Sequence, residues 1–262
     1  MTKNPIQLSL EITWLWPDIL NLHGDRGNVM AISRICEMYG INSNVKRVNR
    51  LTDDIDLKST DIIIMNPGEL VSIPSIVKAL EKARSALKSY IQDGGVLMAI
   101  GSSGAALAIM TERADGTTIS GLGLLDMTCK ERNAIIGDDL IANVFGEDVY
   151  GIQIQMMDTI LDPEQQPFAE LVYGYGNDGK GKEGAMTGNV IFTNMLGPVL
   201  VKNPWLTLEI IRRALAKRNK EHEDEIMDIL KFDPAHFELE LKSADAIKIF
   251  NATKEKPAFA RR

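Results

Sequence analysis

The chain has few of the residues on which several function classes depend. Among its 262 residues are two cysteines and three histidines, and 36 acidic residues outnumber 29 basic ones, for a net charge of −7. Cys36 and Cys129 lie far apart, which predicts neither a disulfide framework nor a metal site, and a reducing cytoplasm is their simplest setting. The acidic balance argues against nucleic acid or an anionic membrane as a partner. We expect a cytoplasmic protein without a metal or cofactor.

Long apolar runs are also missing. Residues 94–110 carry no charge, but they include glycine and serine and are shorter than the roughly 20 apolar residues that a membrane span needs. Residues 8–16 alternate apolar and polar side chains, which is typical of a strand and not of a signal peptide. We therefore expect no membrane span.

The first half of the chain instead alternates predicted strands and helices. Strands are predicted at residues 8–16 and 45–48, and apolar runs predict two more at residues 61–65 and 96–100. Amphipathic patterns predict helices from Asn28 and over residues 76–91. This repetition indicates a mostly parallel sheet with helices on both faces. Ligands of such sheets bind at the carboxyl ends of the strands, which directs attention to the loops at residues 66–69 and 101–104.

One of these loops has the pattern of a nucleophile elbow. A buried strand runs into Gly101, Ser102, Ser103 and Gly104, and a small-residue helix is predicted over residues 105–110. Together with Gly68, these residues form a candidate site for a small anion or carboxylate, because a glycine-rich turn presents backbone amides. The alternative is that they only form the tight turn.

The second half changes in character. Short strands are predicted at residues 121–126, 139–144, 151–157, 171–175 and 189–195, and a helix begins at Pro204. After residue 217 the composition becomes strongly charged. We expect a domain over residues 1–217 and a helical charged extension and tail over residues 218–262, with disorder beyond residue 254.

Three segments resemble one family. They read PDILNLHGDRGN at residues 17–28, GLGLLD at residues 121–126, and YGYGN, EG and GPVLVKNP within residues 173–204. Their order and spacing resemble the cobyric-acid-synthase-like class I glutamine amidotransferases, and most closely the branch that forms amidotransferase subunits of lipid II isoglutaminyl synthases, which work beside a Mur-ligase-like subunit. The first segment has His23 where that family usually has tyrosine, so we expect a packing or interface residue there.

The resemblance implies a three-layer, flavodoxin-like α/β domain and a defined chemistry. In that family a cysteine on the elbow attacks the glutamine side chain, a histidine transfers the proton, backbone amides hold the oxyanion, and the ammonia goes to the ligase. Here Gly101 stands at the nucleophile position and Leu196 at the base position. Glycine has no side chain and leucine cannot transfer a proton, so the amide attack loses both of its reacting groups.

We therefore predict a degenerate amidotransferase-like subunit without glutaminase activity, a structural or regulatory partner of a Mur-ligase-like enzyme in cell-wall precursor metabolism. One alternative is an active glutamine-hydrolysing subunit of the lipid II or cobyric-acid type. A second is a sensor that binds a small anion or an amino acid in the vacated pocket. Asp25, Arg26 and Asn28 either cap the first helix or contact the partner subunit.

Overall fold

The computed structural model describes residues 7–253, which form two β-sheets flanked by helices. The strands are β1 (Ser9–Leu15), β2 (Asn42–Val48), β3 (Ile62–Met65), β4 (Val96–Ile100), β5 (Met110–Glu112), β6 (Thr118–Ser120), β7 (Met127–Val144), β8 (Glu147–Leu161), β9 (Ala169–Tyr173), β10 (Lys182–Glu183), β11 (Ala185–Thr187) and β12 (Val190–Thr193). The helices are α1 (Gly27–Met38), α2 (Ile73–Lys82), α3 (Arg84–Gln92), α4 (Val199–Lys202), α5 (Pro204–Arg218), α6 (Glu223–Ile229) and α7 (Glu238–Thr253). The disorder expected beyond residue 254 lies outside the described residues.

The first sheet has the order β11-β12-β4-β3-β1-β2, and every pairing in it is parallel except that of β11 with β12. In β3, Ile62 and Ile64 face the core that includes residues of α1 and α5, whereas Ile63 and Met65 face the core that includes residues of α2 and α3. Both faces are therefore covered, which explains why this strand is a continuous apolar run. The predicted three-layer α/β domain with a mostly parallel sheet is confirmed.

The second sheet has the order β10-β9-β7-β5-β6, and β8 also pairs with β7. The strands predicted at residues 139–144, 151–157 and 171–175 overlap β7, β8 and β9, respectively. The strand predicted at residues 121–126 is wrong. There the Leu122 and Gly123 amides bond to the carbonyls of Ala106 and Ala108, so the segment folds against the loop that follows β4.

Two predicted helices also differ in the structure. The helix expected over residues 76–91 is divided at Ala83, between α2 and α3. The helix expected over residues 105–110 is replaced by a 3-10 helix over Gly101–Ala106, and Met110 begins β5. The Ser103 hydroxyl bonds to both the N–H and the carbonyl of Ile100, and such side-chain bonds compete with α-helical ones.

The C-terminal helices pack onto the domain. Ile226 in α6, together with Leu230 and Phe237, belongs to the same core as α1 and α5. The predicted helical extension is confirmed, and the boundary at residue 217 stays a prediction. Within residues 7–253 no helix combines the length and the apolar character that a membrane span requires.

Candidate functional site

The turn after β4 has an unusual backbone although it carries no nucleophile. Gly101 directly follows this strand, which lies inside the sheet between β3 and β12, and its φ is +59°. This is the left-handed region that L side chains rarely adopt, and a nucleophile elbow is a sharp, strained turn of the same kind. Gly101 therefore lies at the carboxyl end of the sheet, where the resemblance predicts a reacting residue.

Leu196 occupies the space beside this turn. It is buried, and its backbone N–H and carbonyl bond to Ile152 at 2.8 and 3.0 Å. A Cβ atom added to Gly101 would lie 3.1 Å from Leu196 Cδ2 and 3.1 Å from Pro67 Cβ. The cavity that these residues line measures about 10 Å³, about the least volume that holds one water molecule. Little enclosed space therefore remains beside the turn.

The two serine hydroxyls and the Gly68 amide of the predicted ligand site already have partners inside the chain. The Ser102 hydroxyl accepts a hydrogen bond from the Gly68 N–H at 3.0 Å and donates one to the Gly68 carbonyl. The Ser103 hydroxyl bonds to Met65 and Ile100 instead. The structure thus brings Gly68 and Ser102 together, but the amide that an anion would use is occupied.

Gly104 is required by packing. A Cβ atom added there would lie 2.2 Å from Cε2 of the Phe192 ring. Since no real Cβ makes so short a contact, the glycine allows the ring of β12 to pack directly on the turn. Its place in the sequence motif is explained without a ligand.

Asp25 and Asn28 are fully buried, which excludes direct contact with a partner subunit. Neither caps α1, because that helix has no side-chain cap. Asp25 Oδ1 accepts from the Gly197 N–H at 3.1 Å, and Asn28 Oδ1 accepts from the Leu200 N–H at 2.9 Å. Contrary to what the sequence had suggested, Asp25 and Asn28 therefore neither cap α1 nor contact a partner. They instead join the start of α1 and the loop before it to the segment that follows Leu196.

The buried Asp25 carboxyl is electrostatically unusual. Burial raises its pKa to about 7, and hydrogen bonds from Gly197 and Asn28 and the charge of Lys202 offset only part of that effect. Its Oδ2 atom and the Nδ2 atom of nearby Asn66 have no partner. Asn28 Nδ2 lies 3.4 Å from Asn66 Oδ1, so this cluster also reaches the loop after β3.

Two polar residues of the N-terminal loop are exposed. Arg26 precedes α1 and faces solvent, so its predicted partner contact remains compatible with the fold. His23 is also exposed and lines the same small cavity as Gly101, which excludes the packing role expected for it. Its ring has no hydrogen-bond partner among residues 7–253. The imidazole therefore lines the same cavity as the Ser102 hydroxyl, which is bonded to Gly68.

The two thiols are inert at neutral pH. Cys36 and Cys129 are buried, and burial raises the pKa of each to about 12. Because the thiolate is the reactive form, neither can replace the missing nucleophile. Residues 7–253 also contain no cluster of three or more side chains suited to holding a metal ion.

Sequence reasoning missed a buried polar network around the site, which Asn177 and Asn194 connect. Gln153 and Gln155 of β8 donate to the carbonyls of Gly176 and Asn177 at 2.9 and 3.1 Å. Glu183 accepts from the Asn194 N–H at 2.9 Å, and burial raises the pKa of this carboxyl. The only sequence signal was the presence of these residues in or beside the resemblance motifs; their partners depend on tertiary contacts.

Comparison with known proteins agrees with the observed fold. The profile of the CobB/CobQ-like glutamine amidotransferase domain matches residues 11–204. Subunit GatD of the glutamine-hydrolysing lipid II isoglutaminyl synthase of Streptococcus pneumoniae is 32% identical over 213 residues, 80% of this chain and 82% of that subunit. The GatD subunit from Staphylococcus aureus is 30% identical over 222 residues, 84% of this chain and 90% of that subunit.

Solved structures show the same fold. A glutamine amidotransferase structure has a TM-score of 0.52 at 17% identity and covers 77% of this chain and 98% of its own. A ThuA-like protein of Bacteroides uniformis also has a TM-score of 0.52, at 10% identity, and covers 83% of this chain and 96% of its own. With the profile match over most of its length, the chain belongs to the CobB/CobQ-like glutamine amidotransferase family.

Proposed function

We propose that this chain is an amidotransferase-type subunit that does not hydrolyse glutamine and that supports a Mur-ligase-like, amide-forming partner in cell-wall precursor metabolism. The similarity to two GatD subunits supports the pathway and the partner class. One observation supports the loss of activity above all others: Leu196 and Pro67 fill the space into which a side chain at position 101 would project.

The chemistry that glutamine hydrolysis requires is missing at the two positions where the resemblance predicts it. The attack needs a nucleophile with a base within hydrogen-bond reach, and charge stabilisation for the oxyanion. Gly101 supplies no nucleophile, Leu196 supplies no base, and the Gly68 N–H is bonded to the Ser102 hydroxyl. Because such residues act as a unit, the remaining groups accelerate the reaction only weakly once two of them are lost.

The catalytic part of the proposal is tested by glutamate release. The chain alone, and its complex with the Mur-ligase-like protein of the same organism, should release no glutamate from glutamine above the blank. A GatD subunit assayed with its own partner serves as the positive control. Turnover by this chain would overturn the proposal and restore the alternative of an active subunit.

The partner part is tested by co-purification. We expect the chain to elute with the Mur-ligase-like protein as one complex in size-exclusion chromatography. Arg26→Ala should weaken that complex because Arg26 is exposed beside the closed site, whereas Arg34→Ala, which removes an exposed charge from the middle of α1, should not. Elution as separate species would contradict the subunit role.

The sensor alternative loses its support at the elbow. A cavity of about 10 Å³ cannot enclose an amino acid, because even one water molecule needs about that volume.

A further inference from the structure

Two adjoining cavities lie beneath α7, away from the elbow. Their volumes are about 140 and 210 Å³, and both are lined by Tyr150, Lys202, Glu240 and Ala244. Tyr150 and Lys202 belong to the amidotransferase-like domain, whereas Glu240 and Ala244 lie in the C-terminal extension, beyond the residues 11–204 that match the family profile. The cavities therefore form a seam that exists because α7 covers the domain.

Three polar groups at this seam have no partner in the described part of the chain. The Lys202 ammonium, the Tyr150 hydroxyl and the Glu240 carboxylate make no hydrogen bond or ion pair among residues 7–253. Lys202 is half-buried, and burial lowers its pKa, although the charges of Asp139 and Asp25 act in the opposite direction. A partly desolvated ammonium without a close partner is unfavourable, so a carboxylate bound beside Lys202 would stabilise it.

The remaining walls are largely apolar. Trp205, Phe232 and Leu241 line the smaller cavity, and Val201, Leu239 and Ile247 line the larger one. Small-molecule sites combine such apolar walls with a few convergent polar groups. The polar groups here include both signs of charge, because Glu147 and Asp148 also line the smaller cavity, which makes the seam a poor site for a purely anionic molecule.

We propose that these two cavities form one binding site for a free amino acid with an apolar side chain. Lys202 and the Tyr150 hydroxyl bind its carboxylate, Glu240 binds its ammonium group, and the apolar walls receive its side chain. Because one wall is α7 and the other is the domain, the bound amino acid holds the C-terminal extension against the domain. This site is independent of glutamine hydrolysis and of the Gly101 turn.

The ligand class is tested by calorimetric titration of the full chain with leucine and phenylalanine, and with N-acetyl-leucine and leucine amide, each of which lacks one charge. We expect one of the free amino acids to bind and to raise the unfolding temperature, because a ligand of the folded state stabilises it. Each blocked derivative should bind at least about tenfold more weakly, as expected for the loss of a charge-assisted hydrogen bond. Absence of binding by both free amino acids, or equal binding of a blocked derivative, overturns the proposal.

The location is tested by substitution. Lys202→Met removes the ammonium group but keeps the aliphatic stem, and Glu240→Gln removes the negative charge but keeps the shape. Each substitution should weaken binding at least about tenfold, while the unfolding temperature of the free protein reports that the fold is intact. Lys242→Met is the matched control, because Lys242 is an exposed residue of α7 that pairs with Glu238 outside both cavities. Unchanged binding by Lys202→Met, or equal weakening by Lys242→Met, places the ligand elsewhere and overturns the proposal.

Discussion

Replacing Gly101 with alanine measures how tightly the turn after β4 is packed. The φ of +59° costs an L residue about 1–2 kcal/mol, and a methyl group 3.1 Å from Leu196 and Pro67 adds an overpacking cost of about 1–3 kcal/mol. We therefore expect Gly101→Ala to lower the free energy of unfolding by about 2–5 kcal/mol. Urea denaturation followed by circular dichroism measures this quantity.

Gly40→Ala separates the two contributions. Gly40 has a φ of +68°, and a Cβ atom added there meets nothing within 4 Å. It carries only the backbone cost of about 1–2 kcal/mol, and the entropy effect of alanine on the unfolded chain is the same in both variants. The difference between the two variants is therefore the crowding by Leu196 and Pro67.

Leu196→Ala completes a double-mutant cycle. Alone it leaves a buried cavity and should cost about 2–5 kcal/mol. In the double variant the methyl group at position 101 enters the vacated space, so the combined loss should fall short of the sum by about 0.5–3 kcal/mol. Strictly additive losses, or a Gly101→Ala variant no less stable than Gly40→Ala, would refute the reasoning that Leu196 closes the site.

Three further predictions concern the surroundings of the turn. Because the pKa of Asp25 is raised to about 7, the folded state binds the Asp25 proton more tightly than the unfolded state. The free energy of unfolding should therefore fall by a few kcal/mol as the pH rises from about 4 to about 7. Urea titrations should show a weaker dependence of this free energy on pH for Asp25→Asn, and an unchanged dependence would contradict the prediction. Ser102→Ala leaves the Gly68 N–H without its partner and should cost about 1–3 kcal/mol in urea denaturation, whereas Ser85→Ala on the exposed face of α3 should change stability by less than about 0.5 kcal/mol. Gly104→Ala forces the Phe192 ring to move and should cost at least about 1–3 kcal/mol by the same assay; wild-type stability would show that the ring relaxes freely.

The architecture was largely accessible from the sequence because buried parallel strands and amphipathic helices have distinct periodicities. The run at β3 and the apolar face of α2 indicated a covered parallel sheet before any contact was known. One error arose where a side-chain hydrogen bond accompanies a change of backbone conformation. The Ser103 hydroxyl bonds to Ile100 and accompanies a 3-10 helix in place of the predicted α-helix, and no periodicity reports such a bond.

Only part of the candidate site could be predicted from the sequence. The motifs identified positions 101 and 196, but not that Leu196 fills the space beside Gly101. Asp25 and Asn28 were expected at the surface because charged and amide side chains usually lie there. Their burial depends on the Gly197 and Leu200 amides, which lie more than a hundred residues further along the chain, and local sequence carries no sign of partners at that distance.

The residues around the turn divide into two physical classes, and the division separates evidence for the fold from evidence for the reaction. Residues such as Asp25, Asn28 and Gly104 hold loops and strands together through buried contacts, so replacing them would destabilise the domain whether or not it catalyses anything. Gly101 and Leu196, at the two positions where the resemblance predicts the reacting thiol and imidazole, instead provide a left-handed turn and a packed apolar side chain. Motif residues that make buried structural contacts are therefore evidence for the fold alone. The activity of any family member must be judged from the residues at the two reacting positions.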